Sequence, residues 1–390
     1  MEIEQPARGS AFAKLTLIGL GLAGLACNAT LALLNTGSWN ADFNQYYAAG
    51  KLVGTGRLYD WDSIRALELE HTARTVTFTR IPAFALAFKP LTWLPWTAAR
   101  VIWCGIGMAA LAGFVWLWPG IHRGWACVVV LWSIPVAVCL ATGQDSMLFL
   151  FFFALGLRLL VDGRDWWAGF VFSLCIAKPH LALLVPVLLI AQMRWKAIFS
   201  GAAGVMASIG ACFLAGEGSD WPQRLMTLTS RIDGHPLAGG VAAANFPPAE
   251  APGRMPNLRG LVWFFGGGIW VEIAVGVIVV AAVWFISRKR PLPVSGTIAL
   301  AGGLLLSHHA YLYDALLLVP ALLLPFLIPA PELLRKWAVV LATPVAYLFT
   351  LANGSLGFVL AGQAAISGYV LVLIAVTLSR NTPARSPAAT

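Results

Sequence analysis

Charge is what this chain has least of. Asp, Glu, Lys and Arg make up 11% of its 390 residues against 59% hydrophobic ones, and the mean hydropathy is +0.78. That leaves too little polar surface for a soluble globule of this length, so the chain reads as an all-α polytopic membrane protein. A continuous basic tract is also missing. Lys and Arg fall at the ends of apolar runs or in two long loops, so the formal net charge of +9 follows the positive-inside bias of membrane proteins and gives no sign of a nucleic-acid partner. No CxxC pair occurs, and Cys27, Cys104, Cys127, Cys139, Cys175 and Cys212 all lie in apolar runs, as small core residues would. There is no Walker A sequence and no GxSxG elbow, and Gly266-Gly267-Gly268 precedes an apolar run where a dinucleotide site would follow a soluble strand. ATP, NAD and serine-hydrolase chemistry therefore have no support, no cofactor is expected, and no fixed-period repeat is visible.

What is present is a series of apolar runs, at about 11–34, 98–118, 125–141, 146–161, 197–215, 261–286, 294–306, 311–328, 335–352 and 356–379. The first reads as a retained span that also targets the protein. A further run, 166–192, is interrupted by Lys178-Pro179-His180. Each of its arms would be about 18 Å of helix, short of a hydrocarbon core of about 30 Å, which predicts a re-entrant or short helical hairpin with Lys178 at its tip. With that threading the connectors rich in Lys and Arg, such as Arg288-Lys289-Arg290 and Arg335-Lys336, share the cytoplasmic side. The expected architecture is one transmembrane domain, 1–380, with about 10–12 spanning or re-entrant helices. Outer loops occupy 35–97 and 216–260, and 381–390 forms a disordered tail.

The opposite, non-cytoplasmic face collects the polar features. The first is Trp39-Asn40-Ala41-Asp42-Phe43-Asn44-Gln45-Tyr46-Tyr47. A carboxylate at the membrane edge, its pKa raised by burial, suits a general base, which makes Asp42 the candidate catalytic residue. Asp42 followed by Gln45 also reads as a capping box at a helix start. A second acidic N-cap in Tyr59-Asp60-Trp61-Asp62 predicts a helix over about 63–72, and the proline-bounded stretch 80–91 predicts an interfacial helix with Trp93 and Trp96 at headgroup level. The second loop is expected to be a partly ordered lid or substrate-entry loop anchored by Trp221, Leu225, Met226 and Phe246.

Arg80, Lys89, Lys178 and Arg259 are candidate ligands for a lipid phosphate or pyrophosphate. Snorkelling accounts equally for Arg80 and Lys89, but a lysine between two apolar half-helices marks function. His308 and His309 precede Tyr311, Tyr313 and Asp314. The histidines suit a proton relay or a hydrogen bond to phosphate or sugar, and without HExxH-type spacing they are a weak metal signal. Asp314 reads equally as a structural group, capping or pairing within the bundle, and as a functional one. Gly143-Gln144-Asp145 reads as a turn with Asp145 as N-cap.

Taken together, several segments resemble glycosyltransferase family 87 of the GT-C class. These are the Asp42 stretch with Tyr46-Tyr47-Ala48-Ala49, Gly56 and Tyr59; 82–95; Gly143-Gln144; Ala168-Gly169 leading to Lys178-Pro179; Asn257-Leu258-Arg259-Gly260; and 307–314 followed by 316–320. The resemblance implies an inverting transferase that takes a sugar, mannose or in some members arabinofuranose, from a polyprenyl phosphate and passes it to a lipid or glycan acceptor. It implies a multi-pass protein of the inner (plasma) membrane with its active site on the extracytoplasmic face. Asp42 matches the family's general base. Lys178, Arg80, Arg259, His308 and His309 are then expected at the donor phosphate, and Asn44, Tyr46, Gln144, Asp145, Tyr311 and Asp314 at the acceptor or sugar. Two departures bear on donor and acceptor: Arg80-Ile81-Pro82-Ala83 stands where many relatives read Tyr-Pro-Pro, and the second outer loop is idiosyncratic. A transporter would also need many spans, but it would place its site near the midplane at paired broken helices, and only one break is evident.

Overall fold

The computed structural model describes residues 11–34, 41–72, 76–232, 255–351 and 356–379. Every regular element among them is a helix. The expectations for Phe246 and for the tail 381–390 lie outside these residues.

In chain order, α1 (Ala11–Leu34) is followed by three short helices of the segment expected as the first outer loop, α2 (Ala41–Leu52), α3 (Trp61–Leu69) and α4 (Pro82–Phe88). Then come α5 (Trp96–Leu117), α6 (Arg123–Trp132), α7 (Ile134–Thr142), α8 (Ser146–Val161), α9 (Asp165–Ser173), α10 (Val185–Ala191), α11 (Trp195–Leu214) and α12 (Trp221–Ile232). The C-terminal part contains α13 (Leu258–Phe264), α14 (Ile269–Lys289), α15 (Leu292–Leu306), α16 (Val319–Leu323), α17 (Glu332–Ala342), α18 (Val345–Leu351) and α19 (Leu356–Ser379). Four described helices, α5, α11, α14 and α19, are long and apolar enough to cross a bilayer, and α6 with α7 makes a fifth span if the bent pair is taken as one.

Proline explains most differences from the expected runs. The run at 125–141 bends by 62° where Ser133 is extended and Pro135 opens α7. Asn28 of α1 donates to the Leu131 and Ser133 carbonyls at that bend, at 2.6 and 3.3 Å, which satisfies groups the break would otherwise orphan. The run at 311–328 winds as a 3-10 helix, Leu312–Leu318, before α16, with Pro320 and Pro325 interrupting it. The run at 335–352 divides into α17 and α18 around Pro344. The run at 261–286 loses its first residues to α13, because Gly266, Gly267 and Gly268 separate that helix from α14. Between α9 and α10 the chain tightens into a 3-10 turn, Leu174–Ala177, and leaves helical geometry at Lys178. Two short arms thus meet at a lysine.

The first outer segment is packed, not draped over the surface. Asp60 caps α3 by accepting from Ser63 N at 2.9 Å, so the helix begins at Trp61, two residues earlier than the cap pattern suggested. Phe43, Tyr46, Tyr59, Phe78 and Phe88 form a core with Trp103 of α5, Cys212 of α11 and Trp221 and Leu228 of α12. Met226, an expected anchor, is exposed. Buried Glu217 joins the two outer segments: its carboxylate accepts from Gly54 N at 2.8 Å and Leu58 N at 3.3 Å, while Arg224 donates to the Gly56 carbonyl at 2.6 Å. The larger bundle core runs through α8, α15 and α16.

Candidate active site

The two cores meet along α2 and the turn between α7 and α8. Gly143 ends α7 with φ of 82°, and a Cβ there would stand 2.5 Å from the Cβ of Phe43, so only glycine lets the turn lie against α2. Trp103 fixes the turn from the other side, donating its indole N–H to the Gly143 carbonyl at 2.7 Å.

Asp42 lies in the first turn of α2 and is 5% exposed. The expected capping box is absent. The helix already starts at Ala41, and Gln45 Nε2 donates to Asp42 Oδ1 at 3.1 Å, side chain to side chain. The Thr142 hydroxyl, at the end of α7, donates to the Val138 carbonyl at 3.0 Å. Burial pushes the carboxyl up to about 6, against the pull of Thr142, Lys178 and Arg80. Among the described residues, no Lys, Arg or His forms a salt bridge with Asp42.

Beneath Asp42 lies a row of alternating charges. Arg80 Nη2 is 2.9 Å from Asp145 Oδ1, Lys178 Nζ is 3.2 Å from the same oxygen, and Lys178 Nζ is 2.6 Å from Asp314 Oδ1. Ser146 sits inside the row, accepting from Lys178 Nζ at 2.5 Å and donating to Asp314 Oδ1 at 2.6 Å. Lys178 thereby uses all three of its N–H donors and is 2% exposed. Arg80 also donates to the Ala177 carbonyl at 2.7 Å and to the Tyr46 hydroxyl at 3.1 Å. That hydroxyl in turn donates to Gln144 Oε1 at 3.0 Å. Two cations and two carboxylates balance, which is what makes such charges tolerable away from water.

The polar residues foreseen near this row divide into three groups. Asp145 occupies the N-cap position of α8, but its side chain makes no capping bond and serves the ion row. Asp314 both caps and pairs: Oδ2 accepts from Tyr311 N at 3.2 Å while Oδ1 faces Lys178. Asn44 points away. Its amide donates to the Glu68 carbonyl at 2.6 Å and to Thr72 at 3.2 Å, and its oxygen accepts from Trp96 at 3.2 Å, so it is spent on the outer core. Lys89 is likewise spent on the Val53 carbonyl at 3.2 Å.

At the rim, the ring of His309 lies 6.3 Å from His180 and 4.7 Å from Tyr311, and Tyr311 lies 5.8 Å from Tyr313. Arg259 hydrogen-bonds His308. Asn257 caps α13, accepting from Gly260 N at 3.1 Å, and donates to the Ser307 carbonyl at 2.6 Å, which ties this rim segment to α13.

Thr142, Ser146 and Glu68 were not foreseen. The first two belong to one contiguous polar run, Thr142 to Ser146, between two apolar stretches, and that run was the available signal. Glu68 gave none. Its buried carboxyl accepts from Val76 N at 2.9 Å and Thr77 N at 3.2 Å, and burial pushes it up to about 8. It thereby steadies the segment leading to Arg80, in which Thr77 has a φ of 68°, an unfavourable setting for a β-branched residue.

Among the described residues, a buried carboxylate that no cation pairs thus lies beside a charge-balanced polar row in an all-helical membrane protein, where the two cores meet. The family model for glycosyltransferase family 87 matches residues 78–307, more than half of the chain, and the protein belongs to that family. It is therefore a membrane glycosyltransferase, with a sugar donor and an acceptor as substrates. The matched stretch contains Arg80, Gln144, Asp145, Lys178 and Arg259, while Asp42, Asn44 and Tyr46 precede it and His308, His309, Tyr311 and Asp314 follow it. No curated protein and no solved structure matches the chain.

Proposed function

We propose that this protein transfers mannose, with inversion, from a polyprenyl-phosphate donor to a hydroxyl of a lipid or glycan acceptor. The reaction takes place at the extracytoplasmic face of the inner (plasma) membrane, within a single transmembrane domain of residues 1–380. The observation that carries this reading is the state of Asp42. It is the buried carboxylate of the cluster that no cation pairs among the described residues, and with its pKa at about 6 it is ionised yet basic near neutral pH.

In this mechanism the acceptor hydroxyl gives its proton to Asp42 as its oxygen attacks the anomeric carbon. The bond from that carbon to the lipid phosphate oxygen breaks on the opposite face. Phosphate leaves as a stable anion, so no general acid is required and no second carboxylate of the glycosidase kind is demanded. Arg80 and Lys178, already balanced by Asp145 and Asp314, supply a fixed dipolar field that does not have to reorganise as charge moves. Arg259, His308 and His309, at the rim, meet the phosphate directly. Tyr46, Gln144, Asp145, Tyr311 and Asp314 shape the sugar and acceptor subsites by holding this arrangement.

The test is transfer from radiolabelled polyprenyl-phosphate mannose by purified protein in lipid, comparing wild type with Asp42→Asn at matched folding. Transfer by the wild type alone supports the base. Equal transfer by both removes Asp42 from the chemistry. No transfer from the mannose donor, followed by transfer from polyprenyl-phosphate arabinofuranose, replaces the sugar and keeps the mechanism.

A further inference from the structure

A cavity of about 320 Å³ lies between the start of α9 and the start of α11, lined by Gly163, Arg164, Asp165, Trp166, Trp167 and Lys196. The ion row is about 20 Å away, at the other end of the arm formed by α9 and the 3-10 turn before Lys178. α11 is long and apolar enough to cross a bilayer, and Cys212, in the outer core, stands about 24 Å along its axis from Lys196. The cavity therefore opens at the opposite membrane boundary, the cytoplasmic one in the orientation proposed above.

Two copies of one turn build it. After α8, Gly163 N donates to the Leu160 carbonyl at 3.2 Å and Arg164 N to the Leu159 carbonyl at 2.8 Å. After α10, Met193 N donates to the Ile190 carbonyl at 3.0 Å and Arg194 N to the Leu189 carbonyl at 2.9 Å. These are the paired bonds of a left-handed helix cap, and Gly163 (φ 72°) and Met193 (φ 56°) both take the setting it needs. Each turn delivers an arginine and then tryptophan to the same boundary: Arg164 before Trp166 and Trp167, Arg194 before Trp195. Behind the turns α9 and α11 lie flush, since a Cβ on Gly169 would overlap the Ala197 carbonyl. The gap is set by backbone, and side chains only line it.

Charge narrows what suits it. Asp165 brings a carboxylate, but Arg194 pairs with it at 3.1 Å. Arg164 and Lys196 form no ion pair and no side-chain hydrogen bond among the described residues, and both are exposed. Snorkelling alone would send each head to bulk water, whereas both of these line one cavity. Two cations without a counter-charge call for an anion. The border is apolar: Trp166 and Trp167 are 55 and 65% exposed, and Phe170 and Phe199, further into α9 and α11, are exposed as well. A soluble phosphate has no use for those rings, but a phospholipid carries its phosphodiester directly above acyl chains. A zwitterionic headgroup would bring a cation of its own against Arg164 and Lys196.

We infer that this cavity binds the headgroup of an anionic phospholipid, with the phosphodiester on Arg164 and Lys196 and the acyl chains along Trp166, Trp167 and Phe170. The lipid braces the starts of two helices, one leading to Lys178 and the other ending in the outer core.

The test is native mass spectrometry of the full chain in mixed micelles of dioleoylphosphatidylglycerol and dioleoylphosphatidylcholine, with unfolding midpoints measured in the same micelles. One phosphatidylglycerol per chain is expected to be retained in preference to phosphatidylcholine, and to raise the midpoint. Arg164→Gln and Lys196→Gln are each expected to weaken saturation about fivefold, the worth of one cation at an anionic surface. Either variant suffices should the other misfold. Lys336→Gln, which removes an exposed cation of α17 paired with Glu332, should leave retention as it was. Equal retention of the two lipids, unchanged saturation in the cavity variants, or an equal loss in Lys336→Gln overturns the site. Displacement of the lipid by millimolar inorganic phosphate would also overturn it, making the cavity a site for a free anion. No sugar transfer enters the measurement, so its outcome stands apart from the catalytic reading.

Discussion

The two cores that meet at the site are built from different side chains. The bundle core is mainly aliphatic, with Leu150, Leu157, Ile298, Leu300, Leu304 and Leu317 among its most buried members. The outer core is richer in aromatic rings, and several of them end in a polar atom that reaches a defined acceptor, although the buried indole N–H of Trp221 has no hydrogen-bond partner among the described residues. Tyr47 donates to the Leu94 carbonyl at 2.8 Å, Tyr59 to the Arg80 carbonyl at 2.7 Å and Trp103 to the Gly143 carbonyl at 2.7 Å. Dispersion among aliphatic groups has no preferred direction, while a ring with one donor at its tip is held at both ends. The bundle therefore sets how deep the ion row lies, and the outer core sets where Asp42 and Arg80 stand within it.

The sharpest way to break this division is Asp42→Asn. Transfer is expected to fall by about 10²–10⁴, the usual worth of a general base. The thermal unfolding midpoint in detergent should hold or rise, since ionising a buried carboxyl whose pKa is about 6 costs about 3 kcal/mol relative to the free side chain. Lys178→Met should cost about 3–5 kcal/mol of stability by leaving Asp314 uncompensated, and Lys178→Met with Asp314→Leu should recover part of it in a double-mutant cycle of unfolding. A Lys178→Met protein as stable as wild type but unable to transfer would make Lys178 a substrate ligand after all. In the bundle, Leu300→Ala should cost about 2–5 kcal/mol while kcat per folded molecule is kept. In the outer core, Tyr46→Phe should cost only about 1–3 kcal/mol yet lower kcat, because Arg80 loses a partner.

The smallest effect is on pH. If Asp42 is the base, transfer rises as pH climbs through about 6 and then levels. Asp42 and Glu68 both have folded pKa values above their ordinary range, so each binds its proton more tightly folded than unfolded. Their joint contribution to stability is greatest in acid and declines as pH rises, through about 6 for Asp42 and about 8 for Glu68. Rate and stability should thus move in opposite directions between pH 5 and 7, measured by initial rates and unfolding midpoints in the same buffers.

Much of the bundle was legible, because apolar length and proline position are local properties. The break at Lys178 was legible for the same reason: a lysine flanked by two apolar arms has few bland explanations. The partners of Lys178 were not, since Asp314 lies 136 residues away and nothing local records the pairing. Asp145 was read as a cap because its sequence position is a cap position; the cations that claim its side chain come from other segments. The outer core was hidden more thoroughly. Residues 35–97 have the polarity of a loop, and only contacts with α5, α11 and α12 turn their scattered aromatics into an interior. Asn44 was placed at the substrate because it neighbours Asp42 in sequence, but two residues along a helix is about 200° of rotation, enough to face the opposite way.

The Glu217 clamp also bears on biosynthesis. Asp42 leaves the ribosome well before the groups that close its module, since Glu217, Trp221 and Arg224 are made 159–168 residues after the turn they hold. Until α11 and α12 have been made, the aromatic face of this segment lacks Cys212, Trp221 and Leu228, which complete its core. The module that holds Asp42 therefore closes only once residues 217–228 have been made, and a chain stalled before residue 217 would carry that carboxylate without the groups that clamp the segment around it.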